Sequence, residues 1–196
     1  LDATAARLSK GEVQDELITG EMHDIVGEVY SSLGLHEAAE RHLATAFEIG
    51  TRLLGEEHPV TLHRMTELAI VYRERRRLPE AEALALKALE IERRVLGEEH
   101  EATLATSTTL ALVYSHQSRW AEAEQLSLKA LEIMKRVLGE GNSGTGLTMT
   151  NLADVYKEQG RYAEAESLYL NALDILKRAL GPEAPNTLLA MVNLAD

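Results

Sequence analysis

The chain of 196 residues contains no cysteine, which rules out disulfides and thiolate metal sites. That absence fits a reducing compartment, and a cytoplasmic placement is the corresponding expectation. Only one tryptophan, one phenylalanine and six tyrosines are present, so the core must come mainly from aliphatic side chains. With four prolines, long stretches are free to stay helical, and the abundant alanine and leucine are strong helix formers. No run of about 18 apolar residues occurs, so no membrane span or membrane partner is expected. Positive charge is also in deficit. Against 32 Asp and Glu stand 20 Lys and Arg, a net charge of -12, which argues against nucleic acid as a partner. The deficit is uneven: residues 1–54 carry four basic and ten acidic side chains, whereas residues 55–96 balance eight against eight. Such a surface keeps a protein soluble and can also attract a basic partner.

What the chain has is a period. Leu54-Gly55-Glu56-Glu57-His58 returns as Leu96-Gly97-Glu98-Glu99-His100, 42 positions later, then as Leu138-Gly139-Glu140 and Leu180-Gly181-Pro182-Glu183. Tyr30, Tyr72, Tyr114 and Tyr156 keep the same interval. A fixed period in this range marks an array of supersecondary units, each packed on its neighbours. Within a unit, Leu68, Ala69 and Tyr72 make an apolar stripe with a small residue for close approach. A turn follows (Ser32-Leu33-Gly34, Arg75-Arg76-Arg77, Gln117-Ser118-Arg119, Gln159-Gly160-Arg161). A second helical stretch then runs to Leu-Gly, where Gly55, Gly97, Gly139 and Gly181 stop the helix. Helix, short turn, antiparallel helix, glycine and loop together predict an all-α solenoid of helical hairpins. Its expected repeats are 17–54, 59–96, 101–138 and 143–180, with a truncated fifth over 185–196.

Leu68, Ala69, Tyr72, Ala81 and Ala88 stand at positions where this pattern resembles the tetratricopeptide repeat. The 42-residue period and the Leu-Gly-Glu-Glu-His-Pro linker are similar to the longer variety of kinesin light chains and many bacterial arrays. The resemblance implies a right-handed superhelix, a docking role and a concave face lined by first helices. Residues 1–16 read as a short lead-in helix and linker, similar to the segment before arrays attached to some bacterial Ser/Thr protein kinases. The chain begins at Leu1 in mid-pattern and ends inside a fifth first helix. The expectation is therefore a fragment of a larger protein, or one whose open end associates through Leu188, Met191 and Leu194.

No catalytic set, cofactor motif or metal-ligand spacing emerges. Gly141-Asn142-Ser143-Gly144-Thr145-Gly146 lacks the lysine of a nucleotide loop and no strand precedes it. It reads as a weakened helix start that delays the fourth first helix and softens the joint there. His58 and His100 recur with the linker, which points to packing or to capping a helix start rather than to metal binding. Paired acids such as Glu122 and Glu124 sit at helix starts, where negative charge offsets the helix dipole. The concentrated basic run is Arg73, Arg75, Arg76 and Arg77, open to three readings: a solvated turn, an anchor for partner acids, or pairing with the acidic first repeat.

Projected onto the concave face, the repeats give four rows. They are Glu21, His63, Ala105, Leu147; Asp24, Thr66, Thr108, Thr150; Glu28, Ile70, Leu112, Asp154; and Ser31, Arg73, Ser115, Lys157. Some family members grip a C-terminal carboxylate with Asn and Lys here, but the third row holds no Asn. Of the paired asparagines that kinesin-light-chain-like proteins carry, Asn151 and Asn193 remain, with Glu67 and Thr109 at the other places. Ile70 and Leu112 instead suggest an apolar floor flanked by acids at Glu28 and Asp154, with threonine hydroxyls free for a peptide backbone. The expected partner is a protein or peptide with apolar anchors and basic flanks.

Overall fold

The structure, a computed structural model, describes residues 15–195. All regular structure among them is helical: α1 (Glu16–Ser32), α2 (His36–Leu54), α3 (Pro59–Glu74), α4 (Leu78–Val95), α5 (Glu101–His116), α6 (Trp120–Val137), α7 (Ser143–Glu158), α8 (Tyr162–Leu180) and α9 (Pro185–Ala195). None of these helices is long and apolar enough to cross a membrane. The expected lead-in over residues 1–16 lies almost wholly outside the described residues. Contacts divide the chain into two units, Leu1–Gly97 and Glu98–Asp196, so α1–α4 belong to the first and α5–α9 to the second.

Each hairpin turn is closed in the same way. Leu35, Arg77, Arg119 and Arg161 donate their backbone N–H to the carbonyls of Tyr30, Tyr72, Tyr114 and Tyr156, at 2.8–2.9 Å. That bond requires a left-handed residue just before it. Gly34 (φ 74°) and Gly160 (φ 76°) supply it without strain, while Arg76 (φ 59°) and Ser118 (φ 61°) adopt it against their own preference. With only three residues between helices that pack along their length, the helices of each pair must run antiparallel.

Helix starts are capped by side chains. Asp15 Oδ1 accepts from the N–H of Leu17 at 2.9 Å, His58 Nδ1 from Val60 at 3.3 Å, His100 Nδ1 from Ala102 at 3.2 Å and Asn142 Oδ1 from Gly144 at 2.7 Å. The recurring histidines are therefore caps. The expected delay of the fourth first helix is not found. Helix α7 begins at Ser143, 42 residues after α5 begins at Glu101, because the Asn142 cap offsets the weak propensity of Gly144 and Gly146. Gly146 is small for another reason: a Cβ there would lie 3.1 Å from both Ile175 and Leu176, where α7 meets α8.

Leucine and alanine build the core. In the first unit Val26, Tyr30, Ala39, Leu43, Leu68 and Val71 are buried together. In the second, Leu131, Met149, Leu152, Ala153, Tyr156, Ala165 and Tyr169 form the main cluster. Fully buried alanines on the second helices, Ala39, Ala46, Ala81, Ala85, Ala88, Ala123 and Ala172, let backbones approach closely.

Candidate functional site

In the first unit, α1 and α3 touch side by side and bring the predicted rows together. His63 Nε2 lies 3.0 Å from Glu28 Oε1, both side chains about half exposed. Asp24 takes the neighbouring place, and its Oδ2 accepts from Arg64 Nε at 2.9 Å. Arg64 is fully buried, and its Nη1 also donates to the Ala46 carbonyl at 3.1 Å. Two glycines make room for that guanidinium. A Cβ on Gly50 would come within 3.0 Å of Nη1, and one on Gly20 within 3.3 Å. The third and fourth repeats carry Thr106 and Thr148 where the second has Arg64, and at the position of the first repeat's Gly20 the later ones hold Leu62, Leu104 and Gly146.

The electrostatics of this face are acidic. Burial pushes the Asp24 carboxyl up, with Arg64 pulling the other way. Burial likewise raises Glu67, with the charges of Glu28 and Asp24 adding to it and His63 opposing. Desolvation pulls His63 down, but its bond to Glu28 and the charges of Glu67 and Asp24 outweigh that and raise it. The Arg64 charge is wholly engaged inside, so Glu21, Glu28 and Glu67 set the sign of the accessible surface. Ile70 stands half-buried beside them.

In the second unit the rows are carried by α5 and α7. Ala105 is exposed, and Leu112 and Thr108 are half-buried. Asp154 accepts from Tyr169 Oη at 2.5 Å and from Asn193 Nδ2 at 3.1 Å, and its carboxyl is pushed up by burial. Lys157 is half-buried one turn further on.

Several predicted site residues turn out to be structural. Thr66 and Thr150 are buried, and the hydroxyls of Thr66, Thr108 and Thr150 donate to the carbonyls of Leu62, Leu104 and Gly146 one turn back. They are not free for a peptide backbone, because a threonine inside a helix satisfies its hydroxyl on its own helix first. Ser115 is also buried, and Leu147 packs against Leu173, Leu176 and Ala190. Arg73 is largely covered and pairs with Glu74.

Arg75 and Arg77 of the basic run also pair within the chain, as in the third of its readings. Arg75 and Arg77 both reach Glu40 of α2, the latter at 2.6 Å, and Arg77 lies 3.0 Å from Glu80. Its guanidinium also stacks 4.3 Å above the Tyr72 ring. The arrangement repeats in the second unit, where Arg161 stacks 3.8 Å above Tyr156 and meets Glu124 at 2.8 Å and Glu164 at 2.6 Å. These arginines fasten one hairpin to the next. Of the predicted self-association residues, Met191 and Leu194 pack partly on α8, while Leu188 is 48% exposed. Among the described residues no group of three or more His, Asp or Glu could hold a metal ion.

The partners of the site that sequence reasoning missed are Arg64, Tyr169 and the Asp154 contact of Asn193. For Arg64 a signal was available: the second repeat carries arginine where the third and fourth carry threonine, and the first carries Gly20 where the second and third carry leucine. Nothing in the sequence marked Tyr169, since its partner lies on a different helix.

A family model described as tetratricopeptide repeat matches residues 19–91, 65–136, 104–169 and 144–196. Solved structures share the fold. BtubC (BKLC) from P. vanneervenii superposes with a TM-score of 0.72 at 21% identity, over 89% of this chain and 71% of that one. A Podosopora anserina kinesin-light-chain candidate of nearly identical TPR-like repeats gives 0.71 at 25% identity, over 93% and 86%. A Rap protein complexed with competence and sporulation factor gives 0.73 at 17% identity, over 93% of this chain and 54% of that one. Comparison with curated proteins gives no match.

Proposed function

Since the chain belongs to the tetratricopeptide repeat family, a fold that serves as a protein-interaction scaffold, we propose that it binds a peptide or partner domain on its first-helix faces. The observation that carries this reading is the acidic face of α1 and α3. There Glu28, His63 and Glu67 share the face that carries the half-buried Ile70, while Arg64 is sealed inside and Arg73 is largely covered. A partner with apolar anchors and basic flanks complements it: the anchors cover Ile70 or Leu112, and Lys or Arg meets the carboxylates. A solved neighbour of the same fold in complex with a bound factor supports a binding role. No catalytic role is proposed.

A peptide-display library tests this directly. The expected enrichment is for apolar residues flanked by Lys or Arg, with binding that weakens as salt rises. Covering an apolar side chain is worth about 1.5–3 kcal/mol. Ile70→Asp in the first unit and Leu112→Asp in the second should each weaken such a ligand about tenfold or more, with helical content unchanged. Full binding by both variants would refute the reading.

A second reading is favoured by α9, where Leu188, Leu189 and Val192 are 48%, 55% and 56% exposed. On that reading the helix face mediates self-association. Light scattering over a concentration series decides it: a growing mass abolished by Leu189→Lys supports it, and a constant mass of 21.6 kDa dismisses it.

A further inference from the structure

Elsewhere in the chain the Glu-Glu linker is tied to the second helix that follows it by two ion pairs. In the first unit Glu56 meets Lys87, and Glu57 Oε1 lies 2.7 Å from Arg94 Nη2. One period later Glu98 accepts from Lys129 at 2.8 Å and Glu99 from Arg136 at 2.9 Å. After a further period the same four positions read Glu140, Gly141, Asn171 and Arg178. Gly141 removes the carboxylate that would meet Arg178, and Asn171 removes the ammonium that would meet Glu140.

The result is a cleft of about 350 Å³, lined by Lys135, Glu140, Gly141, Asn171, Asp174 and Arg178 over a floor of Met149 and Ile175. Arg178 turns back to Asp174 on its own helix, a pair with both side chains 67% exposed and therefore weak and easily exchanged. Lys135 makes no ion pair among the described residues. Gly141 is not held as glycine by its surroundings: a Cβ there would meet nothing within 4 Å, and its φ is outside the left-handed region. The space suits a side chain that this repeat does not supply.

We propose that the cleft is a carboxylate site that receives the acidic side chain of a partner polypeptide. Its carboxylate would lie on Arg178 and Lys135, where Glu57 and Glu99 stand in the preceding repeats. Arginine suits this role because its planar fork takes a carboxylate through two parallel N–H bonds. One carboxylate on a solvent-exposed arginine binds weakly. The site therefore acts as one contact within a larger protein interface and not as a trap for a free acid. It uses α6, α8 and the intervening loop, and it stands whether or not the first-helix faces bind a partner.

The test uses N-acetyl-glutamate amide as probe and N-acetyl-glutamine amide as control at constant ionic strength. Nuclear magnetic resonance follows the Arg178 Nε–H and the amides of residues 139–142. Saturable shifts with the glutamate probe, at least about fivefold weaker with the glutamine probe, are expected. Gly141→Glu, which restores the residue of the earlier repeats, should abolish those shifts and raise Tm. Arg178→Gln, at an exposed position, should abolish them without changing the fold. Equal shifts from both probes, or undiminished binding by Gly141→Glu, would overturn the proposal. Free glutamate binding about tenfold more tightly than the capped probe would overturn its polypeptide source.

Discussion

Removing Asp24 should damage the first unit far more than removing its partner Arg64, although the two form one ion pair. The guanidinium of Arg64 is fully buried, and its bonds are to Asp24 Oδ2 and the Ala46 carbonyl. It cannot shed its charge, since an arginine stays protonated at any ordinary pH. Asp24→Ala therefore leaves a buried cation with one neutral acceptor, a change that costs about 3–5 kcal/mol. The reverse change is milder. Arg64→Met leaves Asp24 with a carboxyl already pushed up by burial, so it can take a proton and shed its charge. An unsatisfied acceptor of that kind costs about 1–3 kcal/mol.

The double variant Asp24→Ala, Arg64→Met removes both charges and should fall near the parent, because a buried pair replaced by apolar groups is often neutral. The assay is urea unfolding followed by helical circular dichroism. With an m-value of about 2 kcal/mol/M, the Asp24→Ala midpoint should drop by about 1.5–2.5 M. Most of that drop should return in the double variant, and since the two single losses sum to about 4–8 kcal/mol while the double loses little, the coupling is of that size. An Asp24→Ala loss below about 1 kcal/mol, or a double variant no better than it, would refute the reasoning.

Two further predictions concern the same unit and its neighbour. His23 and His42 share a hydrogen bond of 2.9 Å between their Nδ1 atoms, and burial first, then nearby positive charge, lowers both. Their folded pKa lies below the usual 6.5, so on acidification the unfolded chain takes protons before the folded one and stability is lost as pH falls below that value. Asp24 and Glu67, both raised, act in the opposite sense at lower pH, so the comparison must be with a variant. His23→Met with His42→Leu, the residues that other repeats carry as Met65, Met149, Leu84 and Leu168, should flatten the slope just below pH 6.5; an unchanged slope would exclude the pair as its source. Gly27→Ala and Gly146→Ala should differ in sign or size. The first puts a Cβ 2.6 Å from Leu43 Cγ and 3.2 Å from its backbone nitrogen, at a cost of about 1–3 kcal/mol. The second meets only movable side-chain atoms at 3.1 Å, and the propensity gain of about 1 kcal/mol offsets it; equal Tm losses would contradict this.

The sequence alone determined the repeat. A period of 42 in tyrosine, leucine-glycine and alanine fixes where helices begin and end, since caps, stop glycines and apolar spacing are local properties of the chain. The capping role of His58 and His100 was legible for the same reason, and so was the family. Tertiary structure decided which polar side chains remain available. Thr66 and Thr150 look like surface hydroxyls in a row, yet both are buried and donate to their own helices. The arginine run looks like an open patch until Glu40, 37 residues from Arg77, closes on it. Arg64 and Gly141 are the clearest cases, because each departs from the repeat and its consequence depends on residues of other helices. Periodicity predicts what every repeat shares, and where one repeat differs the outcome is set by distances that only packing fixes.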